Sequence, residues 1–121
     1  MRIYFCREGL TYIMNVLQKE LPEDHVLACA PENVAKAALE ADVLIPTVSA
    51  IGEEALRAPQ LKIVQQFGAG LDTVDIPAAT RHGVYVANVP TAGTGNAESC
   101  SELATLFMLA LARRYPQTQE S

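Results

Sequence analysis

The sequence predicts an open α/β sandwich built on a five-stranded parallel sheet. Three observations carry that expectation: five short β-prone runs alternate with helical segments, the runs are almost continuously apolar, and turn residues punctuate them. Strands apolar throughout belong to a sheet covered on both faces, and the intervening helices supply the crossovers that parallel strands need.

The elements follow in order. RIYFC (2–6) reads as the first strand. Leu10, Ile13, Met14 and Leu17 then recur at helical spacing, predicting an amphipathic helix to about Glu20, with Pro22 and Asp24 marking the turn. HVLACA (25–30) is the second strand. Pro31 and Glu32 open a helix to about Glu40, since proline is tolerated in a first turn and acids favour the positive helix end. DVLIP (42–46) and LKIVQQF (61–67) are the third and fourth strands, with a short helical piece, IGEEALRA (51–58), between them. Asp72 and Asp75 stand at the start of a further short helix, and Gly83, after Arg81 and His82, closes it as a C-terminal cap. VYVAN (84–88) is the fifth strand. The expected architecture is therefore flavodoxin-like, with no internal repeat and no low-complexity segment.

Composition bounds the function. A chain of 121 residues, half of them apolar and about a fifth charged, has the size of one globular domain. The net charge of -5 contains no basic cluster, which argues against nucleic acid as a partner. Cys6, Cys29 and Cys100 are odd in number and far apart, so neither a disulfide framework nor a zinc site is expected; they read as small buried residues. Charge at Arg2, Arg7 and Glu8 interrupts any signal-peptide pattern, and no run is long enough to span a bilayer. The expectation is a soluble, cytoplasmic protein without a metal.

The last helix, NAESCSELATLFMLALARR from Asn96, is apolar at every position from Leu103 to Ala112 except Thr105. A helix without a wet face belongs inside something. One small domain covers a single face of it, so the chain is expected to be a fragment or an obligate oligomer.

Ligands of open α/β sheets bind at the carboxyl ends of the strands. Three loops reach that edge: Thr47 to Ala50, Phe67 to Gly70, and Val89 to Gly95. Successive N–H groups at the Gly68/Gly70 pair would form a nest for a carboxylate, or else the pair simply makes a tight strand-to-helix turn. A dinucleotide fingerprint would place Gly or Ala where Thr73 stands, and Gly93-Thr94-Gly95 lacks the lysine of a phosphate loop. Asn96 suits an N-cap. Glu98 and Glu102 read as dipole and surface carboxylates, and His25 and His82 have no Cys, Ser or Asp partner at a recognisable spacing.

Residues 62 to 114, KIVQQFGAGLDTVDIPAATRHGVYVANVPTAGTGNAESCSELATLFMLALARR, resemble the D-isomer-specific 2-hydroxyacid dehydrogenases, the family of phosphoglycerate dehydrogenase, glyoxylate/hydroxypyruvate reductase and formate dehydrogenase. The shared features are G-x-G-x-D-x-x-D after a strand, a short helix ending in a basic residue before Gly, V-x-V-x-N-x-P, and Ala97-Glu98 ahead of an apolar helix. Residues 1 to 61 agree in their β/α order. The resemblance implies a substrate-binding domain over residues 1–95, an inter-domain helix over 96–115, and the start of a linker over 116–121. It also implies a Rossmann domain for NAD or NADP that this chain does not contain. The N–H groups of Ala69 and Gly70 would hold the substrate carboxylate, Val48 and Ser49 would wall the pocket, Asn96 would reach the substrate, and Ala97 would lie near the nicotinamide.

The reaction so implied moves hydride between C4 of the nicotinamide and C2 of a 2-hydroxy or 2-oxo acid, with His as acid/base and Arg polarising the carbonyl. Those catalytic residues fall in the later domain, so none is assigned here and this chain alone is expected to be inactive. The parent protein is expected to be a homodimer. Cys100-Ser101 departs from the Val-Ala usual before the following Glu, though both residues stay small. No cation stands around Val48 and Ser49, which argues against a phosphorylated acid. The alternative is a stand-alone flavodoxin-like ligand-binding or regulatory module that dimerises through its last helix. A corepressor on the same fold is a third reading.

Overall fold

The computed structural model describes residues 1–115, which divide between two compact units, Met1–Val89 and a second that begins at Pro90. The first holds strands β1 (Arg2–Phe5), β2 (His25–Ala28), β3 (Val43–Ile45), β4 (Ile63–Gln65) and β5 (Tyr85–Ala87). They form one parallel sheet in the order β2-β1-β3-β4-β5, so the expected five-stranded α/β architecture is what the chain adopts. Ile3 of β1 sits between Val26 and Val43, and Val64 of β4 between Leu44 and Val86.

Side chains alternate across the sheet. On one face Ile3, Phe5 and Ile45 pack against Leu10, Ile13, Met14 and Leu17, the residues whose spacing predicted helix α1 (Thr11–Glu20). On the other face Cys6, Leu44 and Val64 meet α2 (Val34–Ala38), α3 (Glu53–Leu56) and α4 (Ile76–His82). Small residues bring these helices close: Ala37, Ala38, Ala55, Ala78 and Ala79 are all buried.

Several expectations need correction. The segment opening at Pro31 begins as a 3-10 turn, Pro31–Asn33, before α2, and Ile51 forms an isolated bridge with Val74 instead of joining α3. Asp75 caps α4 by accepting from the Ala78 N–H at 2.9 Å, whereas Asp72 lies in the loop before it. Gly83 closes that helix in the left-handed conformation with φ 69°, as its position predicted. The sheet is also less evenly covered than expected. One helix is about 10 Å wide against about 4.8 Å between strands, so α1 alone spans only part of its face. Tyr85 on β5 is accordingly 78% exposed.

In the second unit, α5 (Asn96–Ala112) has no buried residue. Leu106, Phe107, Met108, Leu109 and Leu111 each show more than half their surface. Cys100 on this helix is exposed, against the expectation of three buried cysteines, since no residue of α5 is buried. Arg113 accompanies the helix end, its N–H donating to the Leu109 carbonyl at 3.0 Å. No described helix is long and apolar enough to cross a membrane.

Asp42 fastens the starts of three strands. Its carboxylate accepts from the Arg2 N–H at 2.9 Å and pairs with Lys62 Nζ at 3.2 Å, while its backbone donates to the Arg2 carbonyl and accepts from the Lys62 N–H. The Arg2 N–H foremost, then Lys62, holds this carboxyl below its usual range. Replacing Asp42→Ala is expected to cost about 1–2 kcal/mol of unfolding free energy near neutral pH. Because the folded-state value is the lower one, the contribution is complete above the unfolded value of about 3.9 and fades as pH falls through the folded one. Chemical denaturation of both proteins at neutral pH and at about pH 3 should therefore show the gap narrowing in acid.

Candidate functional site

The loops leaving β1, β3 and β4 at their carboxyl ends enclose a cavity of about 430 Å³. Arg7 and Leu10 line it from the first loop, Thr47 and Val48 from the second, and Gln66, Phe67, Gly68, Gly70, Asp72 and Thr73 from the third.

The third loop is held by its carbonyls. The Gly68 carbonyl accepts from the Val89 N–H at 3.0 Å, the Ala69 carbonyl from Asn88 Nδ2 at 2.7 Å, and the Gly70 carbonyl from Gln66 Nε2 at 2.9 Å. Gln66 is buried, and its Oε1 also accepts from the Phe67 N–H at 2.7 Å, so one amide closes the loop at both ends. The N–H groups of Gly68, Ala69 and Gly70 form no hydrogen bond among the described residues. These successive donors on a fixed backbone are available to an anion, although neither Gly68 nor Gly70 has the positive φ of a nest built on alternating right- and left-handed residues. Phe67 steadies the near side by an edge contact with Phe5, ring centroids 6.4 Å apart. The glycines have unequal reasons: a Cβ at Gly70 would stand 3.2 Å from Asp72 Oδ2, whereas one at Gly68 would meet nothing.

The second loop turns sharply. Thr47 adopts φ 58°, uncommon for a β-branched residue, with its hydroxyl donating to the Pro46 carbonyl at 2.6 Å. The turn directs Val48 outward, 67% exposed on the cavity wall, and Ser49 inward. Ser49 is buried and its hydroxyl donates to the Cys6 carbonyl, so this side chain joins the β3 loop to β1. The Thr73 hydroxyl is buried and has no hydrogen-bond partner among the described residues.

Of the residues expected to form a site, Val48 and Gly70 line the cavity and Ala69 lies on the same loop. Asn96 and Ala97 belong to the second unit, exposed in the first turn of α5. Asn96 is not the N-cap: Gly95, at φ 72°, takes that position, and Asn96 Oδ1 instead faces the Cys100 thiol at 3.9 Å. The Asn96 N–H reaches the Thr94 hydroxyl at 3.4 Å. Gly93 and Gly95 both have positive φ, around a turn in which the Thr94 hydroxyl donates to the Thr91 carbonyl at 2.8 Å.

His82 has a carboxylate partner that lies far away in sequence. Glu53 on α3 pairs with both His82 and Arg81 of α4, and these bonds, His82 first, lower its carboxyl. None of the three lines the cavity. Burial pushes the Cys6 thiol up to about 12, with Cys29 beside it adding to the rise; Cys29 is also raised by burial. Both stay protonated and poor as nucleophiles at neutral pH. Arg7 and Gln66 were not among the expected site residues, and Asn88, the Asn of V-x-V-x-N-x-P, had no role assigned to it. Gln66 and Asn88 both carry a signal in the sequence, each as a polar residue ending an apolar strand; Arg7 carries none.

The catalytic-domain model of the D-isomer specific 2-hydroxyacid dehydrogenases matches residues 3–116. D-3-phosphoglycerate dehydrogenase of Synechocystis sp. is 34% identical over 118 residues, covering 93% of this chain and 20% of that protein. Glyoxylate reductase of Thermococcus litoralis is 40% identical over 77 residues, 62% of this chain and 22% of that one. The solved NAD-dependent formate dehydrogenase from Staphylococcus aureus, in complex with NAD, superposes with a TM-score of 0.73 at 25% identity, over 98% of this chain and 40% of its own. This chain thus spans about a fifth of the length of the phosphoglycerate dehydrogenase and less than half of the formate dehydrogenase.

If Gln66 holds the loop, Gln66→Ala should cost about 1–3 kcal/mol, since it leaves the Gly70 carbonyl and the Phe67 N–H without partners. Amide exchange at Phe67 should accelerate with it. Unchanged stability together with unchanged Phe67 protection would remove the clamp from this account.

Proposed function

Since the chain belongs to the D-isomer specific 2-hydroxyacid dehydrogenase family, we propose that it is the substrate-binding portion of an NAD(P)-dependent oxidoreductase acting on D-2-hydroxy acids and their 2-oxo counterparts. One observation carries the reading: the Phe67 to Gly70 loop, whose Phe67, Gly68 and Gly70 line the cavity, has the carbonyls of Gly68, Ala69 and Gly70 tied down, and the N–H groups of those three residues form no hydrogen bond among the described residues. A carboxylate is the group such donors suit, and charge-assisted bonds to it are the strong ones.

In this proposal the Ala69 and Gly70 N–H groups bind the acid's carboxylate and so fix C2. Val48 packs against the substrate's remaining atoms, and Ser49 holds that wall by its bond to β1. Asn96 offers an exposed amide to the substrate, and Ala97 an exposed methyl to the nicotinamide. The small Ala97 side chain at the start of a 17-residue helix fits close approach by a flat ring. When bound, the cofactor supplies or accepts the hydride at C4 of its nicotinamide. NAD or NADP would be held by a nucleotide domain beyond these residues, and the exposed apolar surface of α5 supports its role as the inter-domain helix. A homodimeric parent in the cytoplasm completes the proposal; unpaired cysteines fit a reducing compartment.

The direct test is titration of the isotope-labelled chain with glyoxylate and D-lactate, followed by amide NMR. Saturable shifts centred on Ala69 and Gly70 are expected. Shifts confined to other residues, or none at millimolar acid, would contradict the assignment.

A further inference from the structure

Among the described residues one cation lines the cavity. Arg7, on the loop after β1, lines it together with Val48 and Phe67, and among the described residues it forms no hydrogen bond or ion pair. Its sequence neighbour Glu8 does not neutralise it, lining instead a separate cleft with Cys29 and Asn33. The one anion in the cavity, Asp72, belongs to the other loop, with Oδ2 close to the Gly70 backbone. We propose that Arg7 is a specificity-determining residue, selecting 2-hydroxy and 2-oxo acids that carry a second anionic group at the end remote from C1. The inference rests on the carboxylate-binding role proposed for Ala69 and Gly70.

Topology sets the geometry. The Ala69 and Gly70 amides follow β4 and Arg7 follows β1, with β3 between them, so the two strand ends lie about two spacings, or about 10 Å, apart. A long arginine side chain and a short-chain acid together bridge such a distance. Electrostatics gives the reason for selection. Asp72 beside these amides opposes any carboxylate bound there, so an acid with a single charge meets a site of mixed sign. An acid with a second anion also reaches a guanidinium free of competing partners, whose planar fork matches a carboxylate or a phosphate. The expectation that the pocket wall lacks a cation holds for the β3 loop alone, because Arg7 arrives from a segment about forty residues earlier in the sequence.

The test compares D-glycerate, D-3-phosphoglycerate and D-2-hydroxyglutarate on the full chain by NMR titration, reading affinity at the Ala69 and Gly70 amides. At least one doubly anionic acid should bind about tenfold more tightly than D-glycerate, and which of the two gains more identifies the anion the cavity fits. Arg7→Gln should erase that preference by weakening the doubly anionic acids far more than D-glycerate, and Arg7→Lys should restore part of it. No preference in the native chain, or a preference that survives Arg7→Gln, overturns the role of Arg7. Absence of all three acids from the Ala69 and Gly70 amides overturns the carboxylate reading and this inference with it.

Discussion

A backbone carbonyl that already has a donor fixes the peptide that carries it, and with it the direction of the neighbouring N–H. In the loop after β4 this happens three times in succession, at Gly68, Ala69 and Gly70. The donors come from both sides: Gln66 directly follows β4, while Asn88 and Val89 follow β5 alongside it. Parallel pairing of β4 with β5 makes this possible, because both strands run toward the same edge and finish in register. The fold thus turns a short glycine-containing turn into an oriented row of donors without a side-chain cation. The Gln66 amide is buried, and both ends of it are satisfied.

The same edge of the sheet collects the other determinants. The turn at Thr47 places Val48 on the cavity and locks Ser49 to β1, so the aliphatic wall is anchored through a strand that also leads to Arg7. Asp42 fastens the opposite ends of β1, β3 and β4. Relative positions of the three cavity loops therefore depend on central strands fixed at both ends. The Glu53 pairing with His82 and Arg81 joins α3 to α4 on the surface and has no part in the cavity.

Much of this was legible beforehand. Leu10, Ile13, Met14 and Leu17 announced α1, and apolar runs announced every strand, because burial imposes those periods on the sequence. Asp75 and Gly83 marked the ends of α4 through local capping chemistry. The glycine pair and the family resemblance pointed to the β4 loop. Long-range geometry was not legible. Arg7 enters the cavity through the strand order, Asn88 reaches Ala69 across a strand pair, and Glu53 finds His82 across 29 residues. Ser49 turns inward owing to the left-handed backbone at Thr47, a conformation that a β-branched residue does not advertise.

The central claim is that the loop after β4 is a carboxylate receptor, and a crystal structure of the chain grown with glyoxylate tests it most directly. The account predicts carboxylate oxygens about 3 Å from the Ala69 and Gly70 nitrogens, with the Gln66 and Asn88 bonds intact. Glyoxylate bound elsewhere in the cavity while those N–H groups face only water would contradict it.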